Sequence, residues 1–160
     1  MLREHKETHR LITDDKVSVG WSKDGVVIYT NHRPSLPDPI ELNLPAIAQP
    51  VYGFGHLSVF QNIQPVSQKN TPELFSFLCD SSCVTIKPAG LFSSLITSKH
   101  KKIKTGEALR AQGIPDIFRP YWPILCIGNE PIWVLGGMRT INGYPSEPGK
   151  MTVSCVFSNK

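Results

Sequence analysis

Apolar and polar residues alternate along the first part of the chain in a way that is typical of strands. The alternating run Val17–Trp21 leads into a turn with Asp24 and Gly25, and the apolar run Val26–Tyr29 follows it. An Asp-Gly turn between two such runs is a strong hairpin signal. The pattern therefore predicts a β-hairpin.

A proline-rich connection follows this hairpin. Residues 34–50 contain five prolines, Pro34, Pro37, Pro39, Pro45 and Pro50. Such a composition favours extended chain, and the alternation of Ile40, Leu42 and Leu44 indicates that part of it pairs as a short strand. A module boundary is expected close to residue 70. It divides the chain into a β-hairpin and linker region, residues 1–70, and a C-terminal domain, residues 71–160.

The second half of the chain alternates between short strands and short helices. Strand-like runs are Glu73–Cys79, Cys83–Ile86, Pro123–Ile127, Pro131–Leu135 and Met151–Phe157, the third and fourth forming a hairpin. These elements predict a small mixed α+β module of short strands and hairpins with one or two short helices.

The two predicted helices lie between these strands. One spans Ile103–Gly113, with Gly113 as its C-terminal stop. The other spans Ile114–Arg119, with Pro115 at its first position. A shared core is expected for Ile103, Leu109, Ile114, Ile124, Leu125, Ile132 and Val134.

Composition limits the class of protein. Hydrophobic residues make up 40% of the 160 residues, enough for a core, so bulk disorder is not expected. No apolar stretch approaches the roughly 18 residues of a membrane helix, and the charged start Met1–Arg10 is unlike a secretory leader. These features predict a cytoplasmic protein without a membrane partner. The net charge of +4 permits contact with nucleic acid without requiring it.

Signatures of catalysis and metal binding are missing from the sequence. There is no phosphate-binding loop of the Gly-x-x-x-x-Gly-Lys-Ser/Thr type, no Gly-x-Gly-x-x-Gly and no Gly-x-Ser-x-Gly elbow. Cys79 and Cys83 have a spacing that can open a zinc site, but no second pair follows at a suitable distance. No catalytic residue, metal or cofactor is therefore assigned to this chain.

A basic cluster is the main chemical feature. Lys99, His100, Lys101, Lys102 and Lys104 fall at the predicted start of the first helix. Ammonium groups in such a cluster can bind phosphates, which position a nucleic acid without reading its sequence. A solvated basic face with no ligand is the competing interpretation.

A series of short motifs runs between residues 84 and 139 in a fixed order, and they are Lys87-Pro-Ala-Gly90, Lys101-Lys-Ile-Lys104, Ile114-Pro115, Arg119, Pro123-Ile-Leu125, Trp133-Val134 and Gly137-Met-Arg139. In this order they resemble the C-terminal domain of bacterial tRNA(Ile)-lysidine synthetases. The chain departs from the family at Thr105, Gly106 and Glu107, where an Asp and a Phe are usual, and at Asp80–Cys83, which lacks arginine. The family's catalytic motif, Ser-Gly-Gly-x-Asp-Ser, is also absent.

The resemblance implies a role in tRNA modification. The complete family enzyme is an ATP-dependent ligase that adenylates the wobble cytidine of a minor isoleucine tRNA, and lysine then displaces AMP to give lysidine. The C-terminal region is implied to hold the tRNA body, including the acceptor stem. ATP would belong to an N-terminal domain on the same or a separate chain, so this chain alone is predicted to be inactive. The implied tRNA-binding residues are Lys87, Lys99, Lys101, Lys102, Lys104, Arg119 and Arg139.

Several alternatives remain open from the sequence. Arg119 and Arg139 either bind phosphate or have a structural role, pinning a turn or pairing with Glu130. Trp122 and Trp133 either stack on a nucleotide or pack in the core. The rival function is a protein-interaction or structural module with no RNA role. A fragment and the product of a split gene are both compatible with the missing catalytic motif.

Overall fold

The N-terminal strands form a small sheet of their own. A computed structural model describes residues 9–12, 17–22, 25–30, 35–62, 73–79, 82–97, 99–139 and 151–158. In the first three of these ranges, β1 (His9–Ile12) pairs antiparallel with β2 (Val17–Ser22), and β2 pairs antiparallel with β3 (Gly25–Thr30). The β2–β3 pairing confirms the predicted hairpin.

Ten further strands, one α-helix and two short 3-10 segments, Ala89–Leu91 and Arg119–Tyr121, complete the described elements. In chain order the strands and the α-helix are β4 (Ile40–Asn43), β5 (Ala46–Pro50), β6 (His56–Asn62), β7 (Leu74–Cys79), β8 (Cys83–Pro88), β9 (Ser94–Ile96), β10 (Lys102–Lys104), α1 (Thr105–Ala111), β11 (Pro123–Ile127), β12 (Glu130–Val134) and β13 (Met151–Ser158). This mixture of short strands with a short helix confirms the predicted α+β class. Among the described residues no helix has both the length and the apolar character that crossing a membrane requires.

Two four-stranded antiparallel sheets organise most of these strands. Their strand orders are β12-β11-β8-β4 and β5-β6-β13-β7. Strands β4, β5 and β6 precede residue 70, yet β4 pairs with β8 and β6 pairs with β13. The predicted division between residues 70 and 71 therefore does not coincide with a division between sheets.

The larger core contains residues from both four-stranded sheets. Val84 and Ile86 of β8 are fully buried in it, and Phe75 of β7 stacks on Phe77 with ring centroids 5.3 Å apart. Val84 and Ile86 share one face of β8 because successive side chains point to opposite faces of a strand. This alternation is the reason that an interrupted apolar pattern is enough to build the core.

A second core lies on the opposite face of the β12-β11-β8-β4 sheet. Ile124 and Cys126 of β11 belong to it, whereas Leu125, between them in sequence, belongs to the larger core. Leu95, Ala108 and Leu109 bring β9 and α1 onto this face.

The single shared core predicted from the sequence is therefore wrong. Leu109, Ile114, Ile124 and Val134 are buried together in the second core, with Ile103 partly buried against it. Leu125 and Ile132 lie in the larger core. The physical reason is that the sheet is covered on both of its faces, so neighbouring residues of one apolar strand are divided between two cores.

The helix prediction is correct in its end and wrong in its start. Gly113 adopts φ +78°, and its N–H donates to the carbonyl of Arg110 at 2.9 Å, so the helix stops where the glycine predicted. It begins at Thr105, because Ile103 belongs to strand β10. The second predicted helix, Ile114–Arg119, is replaced by turns that end in a short 3-10 segment, Arg119–Tyr121.

Candidate nucleic-acid interface

The lysine cluster lies on a two-stranded hairpin. Strand β9 pairs antiparallel with β10, and we call these two strands and the turn between them the basic hairpin. Ile103 lies opposite Leu95, which is buried, and these two side chains face the second core. Lys102 and Lys104 occupy the alternate positions and are exposed. The Lys-Ile-Lys sequence thus works as a strand pattern, with one residue directed inward between two directed outward.

The turn of the basic hairpin places further cations at its tip. The N–H of Thr97 donates to the carbonyl of Lys101 at 2.9 Å, and the N–H of Lys101 donates to Thr97 Oγ1 at 3.2 Å. His100 adopts φ +58°, and its N–H donates to the carbonyl of Thr97 at 2.8 Å. These bonds close the turn and leave Lys99, His100 and Lys101 exposed.

The predicted location at the start of a helix needs correction. Lys102 and Lys104 are strand residues, and Lys104, with φ −63° and ψ 135°, is the extended residue that precedes the helix. The cause is the alternation of residues 102–104, which matches a strand better than a helix turn. The cluster is consequently spread along a hairpin edge rather than wound around one helical turn.

The local charge of the basic hairpin is uniformly positive. Residues 99–104 contain four lysines and no acidic residue. Glu107, in the first turn of α1, is the next acidic residue along the chain. In the described part of the chain, no carboxylate lies within salt-bridge distance of these four lysines. An uncompensated row of this kind raises the local concentration of polyanions.

Lys87 lies apart from the basic hairpin and already has a polar contact. It is half-buried on β8, and its Nζ donates to Asn129 Oδ1 at 2.6 Å. It also acts on a neighbouring thiol. Burial raises the pKa of Cys126 to about 12, and the charge of Lys87 opposes that rise. Lys87 therefore links β8 to the turn between β11 and β12.

Arg119 fixes the segment between α1 and β11. Its Nε donates to the carbonyl of Ile114 at 2.8 Å, and its Nη1 lies 3.0 Å from Asp116 Oδ1. These contacts match the structural alternative in which the arginine pins a turn. The ion-pair partner is Asp116, not the Glu130 considered from the sequence.

Arg139 is also held by the fold. Its Nη2 donates to the carbonyl of Leu74 at 3.4 Å, and its guanidinium carbon lies 5.3 Å from the centre of the Phe75 ring. Burial lowers the pKa of Arg139. These contacts connect the loop after β12 to β7. They favour a structural role for Arg139 over phosphate binding.

The tryptophans occupy packing positions. Trp133 is fully buried in the larger core, with its ring centroid 5.6 Å from that of Phe75. The Nε1–H of Trp122 donates to the carbonyl of Leu135 at 3.1 Å, and its ring centroid is 4.9 Å from that of Phe54. Both observations favour core packing over stacking on a nucleotide.

Two glycines of the family-like pattern have a packing explanation. A Cβ on Gly90 would lie 2.9 Å from both terminal methyl groups of Leu36 and 3.0 Å from the carbonyl oxygen of Pro120. A Cβ on Gly137 would overlap the side-chain amide of Gln112. Sequence reasoning did not single out Leu36 or Gln112, because each meets its glycine only in the folded chain.

A metal centre has no support in the described ranges. No group of three or more His, Cys, Asp or Glu side chains there is placed to hold an ion. The four cysteines are free thiols, and three of them, Cys79, Cys126 and Cys155, are buried.

Comparison with known proteins gives a likeness in fold alone. No family model and no curated protein matches the sequence. A solved structure described as the crystal structure of the TILS C-terminal domain superposes with a TM-score of 0.60 at 13% sequence identity. The match covers 77% of this chain and 100% of the solved one. At this identity the similarity shows the fold without showing the family.

Proposed function

We propose that this chain is a tRNA-binding module of the tRNA(Ile)-lysidine synthetase type, acting in the cytoplasm, and that the basic hairpin is its principal contact with the tRNA. The observation that carries the proposal is the row of exposed lysines on this hairpin, within a fold like that of the TILS C-terminal domain. The other family-like elements between residues 84 and 139, in their order along the chain, also support it.

The proposed mode of binding is electrostatic. Lys102 and Lys104 are two residues apart on one strand, about 7 Å along it, a spacing on the scale of neighbouring phosphates. Lys99 and Lys101 extend the row to the tip of the turn. Contacts of this kind position the RNA body and carry little base identity. The module would therefore hold the tRNA while another site selects and modifies the base.

The remaining predicted residues have a secondary part in this proposal. Lys87, Arg119 and Arg139 make hydrogen bonds within the fold, as described above. Redirecting any of them to a phosphate would break or share those bonds. We assign the salt-dependent part of binding mainly to Lys99, Lys101, Lys102 and Lys104.

The chemistry of the complete enzyme belongs elsewhere in this proposal. ATP binding and adenylation would be supplied by an N-terminal catalytic domain, on the same chain or a separate one. The contribution of this chain would be affinity for isoleucine tRNA through its body or acceptor stem.

The test is tRNA binding by filter retention across a salt series. The variant combines Lys101→Ala, Lys102→Ala and Lys104→Ala, and the matched control combines Lys101→Arg, Lys102→Arg and Lys104→Arg. Loss of three phosphate contacts should reduce the steepness of log affinity against log salt by roughly 2 to 3 units. The control retains the charges and should keep the slope of the unmodified protein.

Two further measurements make the result decisive. Thermal unfolding should show that the alanine variant is folded, since all three side chains are exposed. The reduction should be similar for different tRNA species, because phosphates carry no base identity. An unchanged slope in the folded alanine variant would return these lysines to the role of a solvated surface and favour the rival interaction module.

A further inference from the structure

An exposed isoleucine lies beside the lysine row of the basic hairpin, on the neighbouring strand β9. Ile96 of β9 is 56% exposed, whereas the preceding residue, Leu95, is 1% exposed. Ile96 lies directly opposite Lys102 in the register of the two strands. Single exposed apolar residues are common on protein surfaces, so its position must supply the argument.

The hydrogen bonds of the hairpin show how close the two side chains are. The N–H of Thr97 bonds to Lys101, and that of Thr105 bonds to Ser93, which makes these opposite pairs the hydrogen-bonded ones. Hydrogen-bonded and non-hydrogen-bonded pairs alternate along two antiparallel strands, so Ile96 and Lys102 form a non-hydrogen-bonded pair. In such a pair the opposite side chains are closest, with Cα atoms about 4.5 Å apart. The outer face of the hairpin thus places the exposed apolar side chain of Ile96 directly beside Lys102.

Charge selects the occupant of this face. The four lysines of residues 99–104 favour a polyanion over a neutral or cationic partner. A sugar–phosphate strand presents both chemistries together, since its phosphates are anionic and the carbon skeleton of each ribose is apolar. Lysines can bind the phosphates while an aliphatic side chain on the neighbouring strand packs against a sugar.

We infer that Ile96 is an RNA-binding residue that packs against ribose, beside phosphates held by Lys102 and Lys104. The inference rests on the proposed function and adds to it a contact that does not depend on charge. Ser94, opposite Lys104 on the same face, continues the β9 side of this surface. The surface so formed follows one backbone strand and contacts no base, which makes its binding independent of sequence.

The substitution Ile96→Thr tests the inference and retains a β-branched residue suited to a strand. The chain offers a matched control in Ile47, which is 66% exposed on β5 of the β5-β6-β13-β7 sheet. The same substitution there, Ile47→Thr, removes a similar exposed side chain away from the basic hairpin. Affinity for an unmodified tRNA transcript is measured by fluorescence anisotropy at several salt concentrations. Lys102→Ala is measured alongside as the electrostatic comparison.

The inference predicts a distinct pattern for each variant. Removing apolar surface from the half-exposed Ile96 should weaken binding roughly fourfold at every salt concentration, with the salt slope unchanged. Lys102→Ala should reduce the steepness of the slope by about 1 unit. Ile47→Thr should match the unmodified protein.

The outcomes separate this inference from the proposed function. If Ile96→Thr binds like Ile47→Thr while Lys102→Ala still reduces the slope, the ribose contact is wrong and the tRNA-binding role stands. A lowered slope for Ile96→Thr would also overturn the inference, because the side chain would then act only by holding the lysines. If the unmodified protein shows no salt-dependent affinity for tRNA, both are wrong.

Discussion

Leu95→Ala removes a buried side chain that fastens the basic hairpin to the rest of the fold. Leu95 is 1% exposed and lies in the second core with Ala108 and Leu109 of α1. The seven residues of α1 are too few to be stable as an isolated helix. The helix and the basic hairpin therefore depend on this core for their position.

The expected cost of Leu95→Ala follows from burial. Three fewer buried carbon groups at about 0.8 kcal/mol each give roughly 2.4 kcal/mol, and any residual cavity adds to this. The second core has fewer buried residues than the larger core, so we expect its side chains to fill part of the cavity. The expected cost is therefore about 2 to 3 kcal/mol, the lower part of the range for such substitutions. Urea unfolding followed by tryptophan fluorescence measures this free energy.

Leu125→Ala is the matched control on the other side of the sheet. Leu125 is fully buried in the larger core, within a sheet covered on both faces, so its cavity has less freedom to collapse. We expect a cost of about 3 to 5 kcal/mol. In conditions where both variants are folded, Leu95→Ala should weaken tRNA binding and Leu125→Ala should leave it unchanged. A cost below about 1 kcal/mol for Leu95→Ala, or equal loss of binding in both variants, would refute the reasoning.

Three further outcomes are expected. Burial, with smaller contributions from Cys126 and Asp38, raises the pKa of Tyr52 to about 12. The phenol therefore stabilises the fold below its ordinary pKa of 10.0, and this stabilisation is lost as pH rises from 10 through 12. Over that interval the unmodified protein should lose roughly 1 kcal/mol more unfolding free energy than Tyr52→Phe, after allowance for the partial exposure of the phenol. Urea unfolding at each pH measures the two losses, and equal losses would contradict this. Arg119→Lys should lower the unfolding free energy by about 1 kcal/mol, because lysine cannot reproduce the Nε bond to the carbonyl of Ile114; the prediction fails if the melting temperature is unchanged. The purified chain, given ATP, lysine and tRNA, should release no AMP and form no lysidine, because the sequence contains no nucleotide-binding motif; ATP-dependent AMP release by this chain alone would overturn that expectation.

Local patterns were sufficient for the class of fold and for several elements. The Asp-Gly turn predicted the β2–β3 hairpin, and Gly113 predicted the end of α1, because both signals depend on backbone conformation a few residues away. The partition of the core was not predictable in the same way. Residues of β11 point to two different cores, and a continuous apolar run contains no information about which face meets which partner.

The candidate site shows the same limit. The sequence pattern predicts the lysine cluster but places it wrongly at the start of a helix, because strand β10 runs directly into α1. The alternation of residues 102–104 was the available signal for a strand. The contacts of Arg119 and Arg139 with backbone carbonyls depend on chain segments that meet only after folding. Sequence alone therefore left their structural and phosphate-binding roles equally open.

Strand geometry also constrains how the basic hairpin can change in length. Because side chains alternate along β10, inserting or deleting one residue before Ile103 would exchange the two faces beyond that point and turn a lysine toward Leu95. The turn between Thr97 and Lys101 has no such restriction, since Lys99, His100 and Lys101 are exposed. Natural length variation in related chains should accordingly concentrate in this turn, where added residues would lengthen the tip of the hairpin without disturbing the lysines of β10.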